Sequence, residues 1–193
     1  TTLNQANHIG TLGSFSAANF ALTNAQALSV GGPLTTTGGT GDISLTTTSG
    51  ALSVNTAVTG DQVSLTSAGD LAFGNNVTGT TVNLDSTGNI SQGGGILTAG
   101  TLTGSSSGST TLNQANKITT LGDFSATAFS LTNARSLTVS GPLQGGASTT
   151  LTTTACDLAI TVAVRGTTPP LNSAGSITEG AAGSITANLL TGQ

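Results

Sequence analysis

ISLTTTSGALSVNTAVTGDQ (43–62), VSLTSAGDLAFGNNVTGTT (63–81) and VNLDSTGNISQGGGILTAGT (82–101) follow one another without a break, 20, 19 and 20 residues long. Each opens apolar–polar–Leu, passes through Ser, Thr and Gly, gives a second apolar–polar pair and closes in a Gly/Asn turn. Alternation of apolar and polar residues over roughly three to five positions marks a strand with one buried face. The Gly, Asn and Asp clusters between are turn chemistry, where left-handed backbone is tolerated. No segment sustains a helical apolar rhythm, so the sequence predicts almost no helix.

Three short strands and three turns in about 20 residues make one coil of a β-solenoid. One coil cannot bury its own apolar face. Stacked at the inter-strand spacing of roughly 4.8 Å, coils share a continuous core and pair their backbones with the coils above and below. Parallel crossovers favour a right-handed course. The expected fold is therefore all-β: a right-handed parallel β-helix of about 20 residues per coil, with β-branched and Leu side chains in internal rows. The 193 residues fill nine or ten such coils, a rod on the order of 45 Å.

A longer period encloses the short one. TTLNQANHIGTLGSFSAANFALTNAQALSVGGPL (1–34) returns as TTLNQANKITTLGDFSATAFSLTNARSLTVSGPL (110–143), with 24 of the 34 positions identical. Further on, LTTT at 151–154 matches 45–48, an offset of 106, and LNSAGSITEG (171–180) matches LDSTGNISQG (84–93), an offset of 87. The second copy has thus lost about 19 residues, one coil's worth, a loss that a solenoid absorbs because its neighbours rebuild the same interface. The expected organisation is a first block of about five coils at 1–109 and a second copy at 110–193 lacking one coil, in a single continuous solenoid. His8/Lys117, Ser14/Asp123 and Gln26/Arg135 differ between copies but stay polar, as outward positions would. Phe15 and Phe20, matched by Phe124 and Phe129, are expected to stack inside.

Composition narrows the partners. Only 10 residues are charged, 3 basic and 7 acidic, for a net charge of −4. Lys117, Arg135 and Arg165 cannot form the basic stripe that phosphates or anionic lipids demand, so neither a nucleic-acid partner nor membrane insertion is expected. Gly (28), Thr (39) and Ser (22) abound, yet Leu, Ile, Val and Phe together supply 44 residues at regular intervals. Periodicity distinguishes the chain from a disordered one of similar bias. Trp, Tyr and Met are absent, which suits a core of thin uniform layers. No apolar run is long enough to span a bilayer, and no charged-then-apolar leader is visible. The chain begins on the first residue of a repeat and reads as a segment of something larger, with only ANLLTGQ (187–193) to hide a cap.

Candidate chemistry is sparse. Cys156 is the sole cysteine and His8 the sole histidine; a catalytic thiol needs a base beside it, and over a hundred residues separate the two. β-Helical lyases and hydrolases use clustered carboxylates, often with a basic residue. Asp42, Asp61, Asp70, Asp85, Asp123, Asp157 and Glu179 are scattered, with only Asp42 and Asp61 expected at adjacent corners. GGTGDISL (38–45) approaches the calcium-binding nonapeptide but lacks the residue between the third Gly and the Asp, and occurs once. No phosphate loop or zinc spacing is present. Asn76 and Asn89 sit in N-x-[ST] triplets, which a Ser/Thr-rich chain produces by chance. Asn4, Asn7, Asn24, Asn113, Asn116 and Asn133 are expected to form amide ladders or turn caps. No catalytic, cofactor-binding or metal-ligating residue is assigned, and no cofactor is expected.

Coils of the form V-x-L-x-x-x-G-x-[LI]-x-[VF], with TLNQAN and FSLTNA blocks, resemble filamentous-haemagglutinin-type exoproteins of Gram-negative bacteria. The resemblance covers essentially the whole chain and lies in repeat style. It implies a right-handed β-helix shaft, at the cell surface or secreted, serving adhesion, aggregation or biofilm formation without catalysis. The partners implied are neighbouring repeats of the same parent protein, and open coil ends could stack into filaments. Two alternatives compete. The TTT triplets at 35–37, 46–48 and 152–154 could build flat Thr rows like those of ice-binding solenoids, although coil 63–81 carries TSA. A polysaccharide-degrading β-helix would need the clustered acids that the sequence does not supply.

Overall fold

The computed structural model describes residues 1–193 as 25 strands and one 3-10 turn, Thr37–Gly39. Every strand pairing is parallel, between segments about 20 residues apart, so the chain is a parallel β-helix. The third coil is typical, with strands Ile43–Thr47, Leu52–Val54 and Val58–Thr59. Each pairs with its counterpart in the next coil, Ile43 with Val63, Leu52 with Leu71 and Val58 with Val77.

One ladder runs the length of the molecule: Leu3, Leu22, Leu45, Leu65, Leu84, Gly104, Phe124, Leu143, Val164, Ile185. Its ten rungs count about ten turns. Beside it runs a second apolar row from Phe20 through Ile43, Val63, Val82, Leu102, Leu121 and Val139 to Ile160. The alternation read from the sequence places these side chains inward, and 36 buried hydrophobic residues join in one core. At roughly 1.5–3 kcal/mol for each large apolar side chain fully buried, this column is the main stabilising term. The paired phenylalanines lie where the duplication predicts: the ring centroids of Phe15 and Phe20 are 4.3 Å apart, those of Phe124 and Phe129 4.8 Å.

Two internal features differ from a purely apolar lumen. Gly104 occupies the leucine ladder because Phe124 needs the space: a Cβ there would collide with the Leu84 carbonyl and approach Phe124 Cε2 to 2.9 Å. A neighbouring internal row is polar, running Asn24, Thr47, Ser67, Ser86, Ser106. These side chains turn a corner, where carbonyls left out of the ladders need donors. Thr47 Oγ1 donates to Gly50 O (3.0 Å), Ser67 Oγ to Asp70 O (2.9 Å) and Ser86 Oγ to Asn89 O (3.1 Å). The second block repeats the device with Asn133, Thr153 and Ser173.

The register also fixes how the two blocks sit. From Leu3 five ladder steps lead to Gly104, and Leu112, the copy of Leu3, belongs to the next face instead, paired with Leu131. The strand holding Leu112 stands on Ile90, on the face of Leu28 and Leu52. The 109-residue repeat therefore spans five coils and one further face, which turns the second copy by one face about the axis. Leu171 stands directly on Leu151; their sequence counterparts in the first copy, Leu84 and Leu45, have Leu65 between them.

Candidate functional site

The side chains that carry chemistry are placed on corners and outer faces, and most hold one coil to the next. Asp70 Oδ1 accepts the backbone N–H of Asn89 (2.7 Å), and Asn89 Oδ1 in turn accepts that of Ser109 (3.0 Å). Asp157 Oδ1 accepts the N–H of Ser176 (2.7 Å), Asn19 Oδ1 that of Asp42 (2.8 Å) and Asn76 Oδ1 that of Ile96 (2.8 Å). In each case a short side chain at a corner supplies an acceptor to a donor in the following coil.

The remaining acids follow suit. Asp85 accepts from Ser105 Oγ at 2.7 Å and from the Asn83 amide. Asp42 and Asp61 lie at one corner of adjacent coils, where Asp61 N donates to Gly41 O (2.7 Å). Asp123 and Glu179 are exposed. Asp85 and Asp123 line one shallow groove of about 480 Å³ with Asn83, Ser105 and Ser140. Arg165 lies in another, of about 540 Å³, among Ser125, Gln144, Thr186 and Asn188. No three His, Cys, Asp or Glu side chains converge. The carboxylates and the guanidinium that proton-transfer chemistry would combine thus stand in separate grooves.

The other sequence candidates are equally local. His8 and Lys117 are exposed, as are Ser14, Asp123 and Arg135, while Gln26 is half-buried. Cys156 is a half-buried free thiol in a corner whose backbone carbonyl accepts from Thr153 Oγ1 and Ser173 Oγ. In GGTGDISL, Gly38 and Gly39 adopt positive φ (70° and 71°) to make the turn, and a Cβ on Gly41 would strike the Ala18 carbonyl. The glycines serve chain packing. Asn24 and Asn133 are buried caps that bracket Ile9 and Ile118 through both N–H and C=O. Asn116 binds Leu97 N, Leu112 O and Gln92, and Asn7 donates to Leu3 O and Thr23 O. Asn4 and Asn113 make surface contacts only, with Gln5 and Ser130. The Asn89 amide nitrogen, the atom a glycan would occupy, donates to Asp70 Oδ1 (3.2 Å).

The threonine triplets separate by pleat. Thr36, Thr47 and Thr153 point inward and are buried, while Thr35 and Thr46 face out. A regular outward file does exist, formed by Thr35, Thr59, Thr78 and Thr98 on successive coils. Sequence reading missed it because three of its members lie outside any triplet; the signal was one Thr directly after the apolar residue that opens the third strand of each coil, Leu34, Val58, Val77 and Leu97. A second file, Thr23, Thr46, Thr66, ends at Asp85. No helix is long and apolar enough to cross a membrane. No protein-family model, curated protein or solved structure matches the chain.

Proposed function

We propose that the chain is a non-enzymatic shaft of a secreted or cell-surface bacterial adhesin or fibre, acting outside the cell in adhesion, aggregation or biofilm formation. The observation that supports this reading is the use made of the polar side chains. Acids and amides at the corners tie coil to coil, and one apolar core runs through the interior from Leu12 to Leu171. Each coil adds roughly 4.8 Å of length at the expense of about 20 residues, so the repeat extends reach. The outer faces carry small hydroxyl residues and few charges, a surface suited to standing in water beside identical neighbours.

Antibody raised against the chain is expected to label intact, unpermeabilised cells, on projections removed by external protease. Label confined to the cytoplasm of lysed cells would overturn the proposal. The file of Thr35, Thr59, Thr78 and Thr98 favours an ice-binding face as a second reading. The shaft reading expects no thermal hysteresis from the purified chain, and a hysteresis abolished by Thr59→Lys would transfer the function to that face.

A further inference from the structure

We propose that the groove along the side of the second block binds a glycan, and that the Arg165 guanidinium in it holds a single sugar carboxylate, of a sialate or a uronate. The site adds a ligand to the shaft, and its chemistry stands on the groove alone.

The duplication supplies the comparison. In the first block Ser16, Thr35 and Thr59 follow one another outward on successive coils. Their sequence counterparts Ser125, Gln144 and Arg165 stack in the same way in the second. Two short hydroxyl side chains have thus been exchanged for a long amide and a guanidinium on adjacent rungs. The corner beside them differs as well. Between Leu34 and Ile43 it runs TTTGGTGD (35–42) and holds the 3-10 turn Thr37–Gly39, whereas between Leu143 and Thr149 it is only QGGAS (144–148). At the shortened corner lies the groove of about 540 Å³, with Gly146 in its wall. The first block has no groove along Thr35 and Thr59. Both changes fall on one strip of an otherwise repeated face.

The groove offers unused donors and acceptors. The side chains of Ser125, Thr127, Gln144, Arg165 and Asn188 line it and make no hydrogen bond within the chain. In the neighbouring groove, by contrast, Asp85 is already engaged by Ser105 and Asn83. The backbone beneath is fixed: the Arg165 carbonyl accepts from the buried Thr149 Oγ1 (3.0 Å) and from Gly145 N (2.9 Å). Of the three basic residues only Arg165 lines a groove. An unpaired guanidinium presents a planar fork of donors that a carboxylate fits with two bonds. Hydroxyls and amides, which both donate and accept, match the hydroxyls of a sugar. The only apolar side chains in the lining are Ala126 and Ala187, so an apolar ligand would gain little there. A net charge of −4 opposes a polyanion; one acid on a neutral oligosaccharide satisfies both the single cation and the hydroxyl lining.

The test titrates the full chain with sialyllactose, digalacturonate, lactose and N-acetylaspartate, followed by saturation-transfer NMR. One charge-assisted pair with a few hydrogen bonds in an open groove should give saturable binding of an acidic sugar with a Kd on the order of 1 mM. Sialyllactose or digalacturonate bound in this way supports the site and names the source of the carboxylate. Lactose should bind about tenfold more weakly or not at all. Arg165→Thr restores the residue of the first block, so the fold should keep its circular dichroism spectrum while acidic-sugar affinity falls about tenfold or more. Arg135→Gln, on an exposed corner outside the groove, should leave binding unchanged. No saturable binding of either acidic sugar, equal binding by Arg165→Thr, or equal binding of lactose would overturn the proposal. N-acetylaspartate bound more tightly than both acidic sugars would overturn it too, in favour of an acidic peptide. Surface labelling of cells does not depend on Arg165, so the shaft reading and this site fail separately.

Discussion

Leu65 stands between Leu45 and Leu84 with its side chain fully buried, and it shows how much one inward position carries. Leu65→Asp puts a charge without a partner into an apolar column, and the expected loss is more than about 4 kcal/mol. Urea unfolding followed by circular dichroism reads it; a midpoint equal to the parent's would mean that the inward register is wrong. Thr56 is the converse case. Its hydroxyl is buried without a hydrogen-bond partner, so Thr56→Val removes an uncompensated polar group at nearly constant shape. That substitution should raise stability by about 1 kcal/mol, seen as a higher urea midpoint with an unchanged slope. The inward leucines were legible from the alternation alone. The inward Thr47, Ser67 and Ser86 were not, because a hydroxyl in a Ser/Thr-rich strand carries no mark of the corner carbonyl it will satisfy.

At the scale of the element the coil is the unit of folding, since each coil makes its main contacts with the one above and the one below. Deleting 63–81 should therefore leave a folded chain in which Leu84 comes to rest on Leu45, as Leu171 rests on Leu151. A cooperative β-sheet melt by circular dichroism is the expected outcome, and its loss would count against the coil boundaries. Coil length and strand type were readable at 43–101 because three clean periods follow one another. The strand pattern of the duplicated segment was not. TTLNQAN pairs as an edge strand, Thr2–Asn7, in the first copy, while its twin lies within the uninterrupted paired run Ser109–Ser125. Nearly identical residues give different elements because one segment has neighbours on both sides and the other on one.

Over the whole molecule stability should be graded. The central ladders are buried throughout, whereas Ile177, Leu189 and Leu190 are exposed in the last coils. Amide hydrogen exchange is expected to be slowest in 63–73 and 82–92 and faster by at least a hundredfold in 177–192, where the apolar side chains are poorly buried. Uniform protection from end to end would contradict nearest-neighbour stacking.

The sequence by itself determined the β-helix, its coil length, the inward leucines and the duplication, because these follow from periodicities that local side-chain chemistry imposes. It also determined that the acids are dispersed. Only the tertiary structure decided which backbone carbonyl each corner hydroxyl donates to and which N–H each corner Asp or Asn accepts from, which threonines line up outside, and that the second block is turned by one face. Those outcomes depend on how many residues each corner consumes, the 3-10 turn at Thr37–Gly39 among them, and corner lengths are settled by contacts between coils that no single repeat contains.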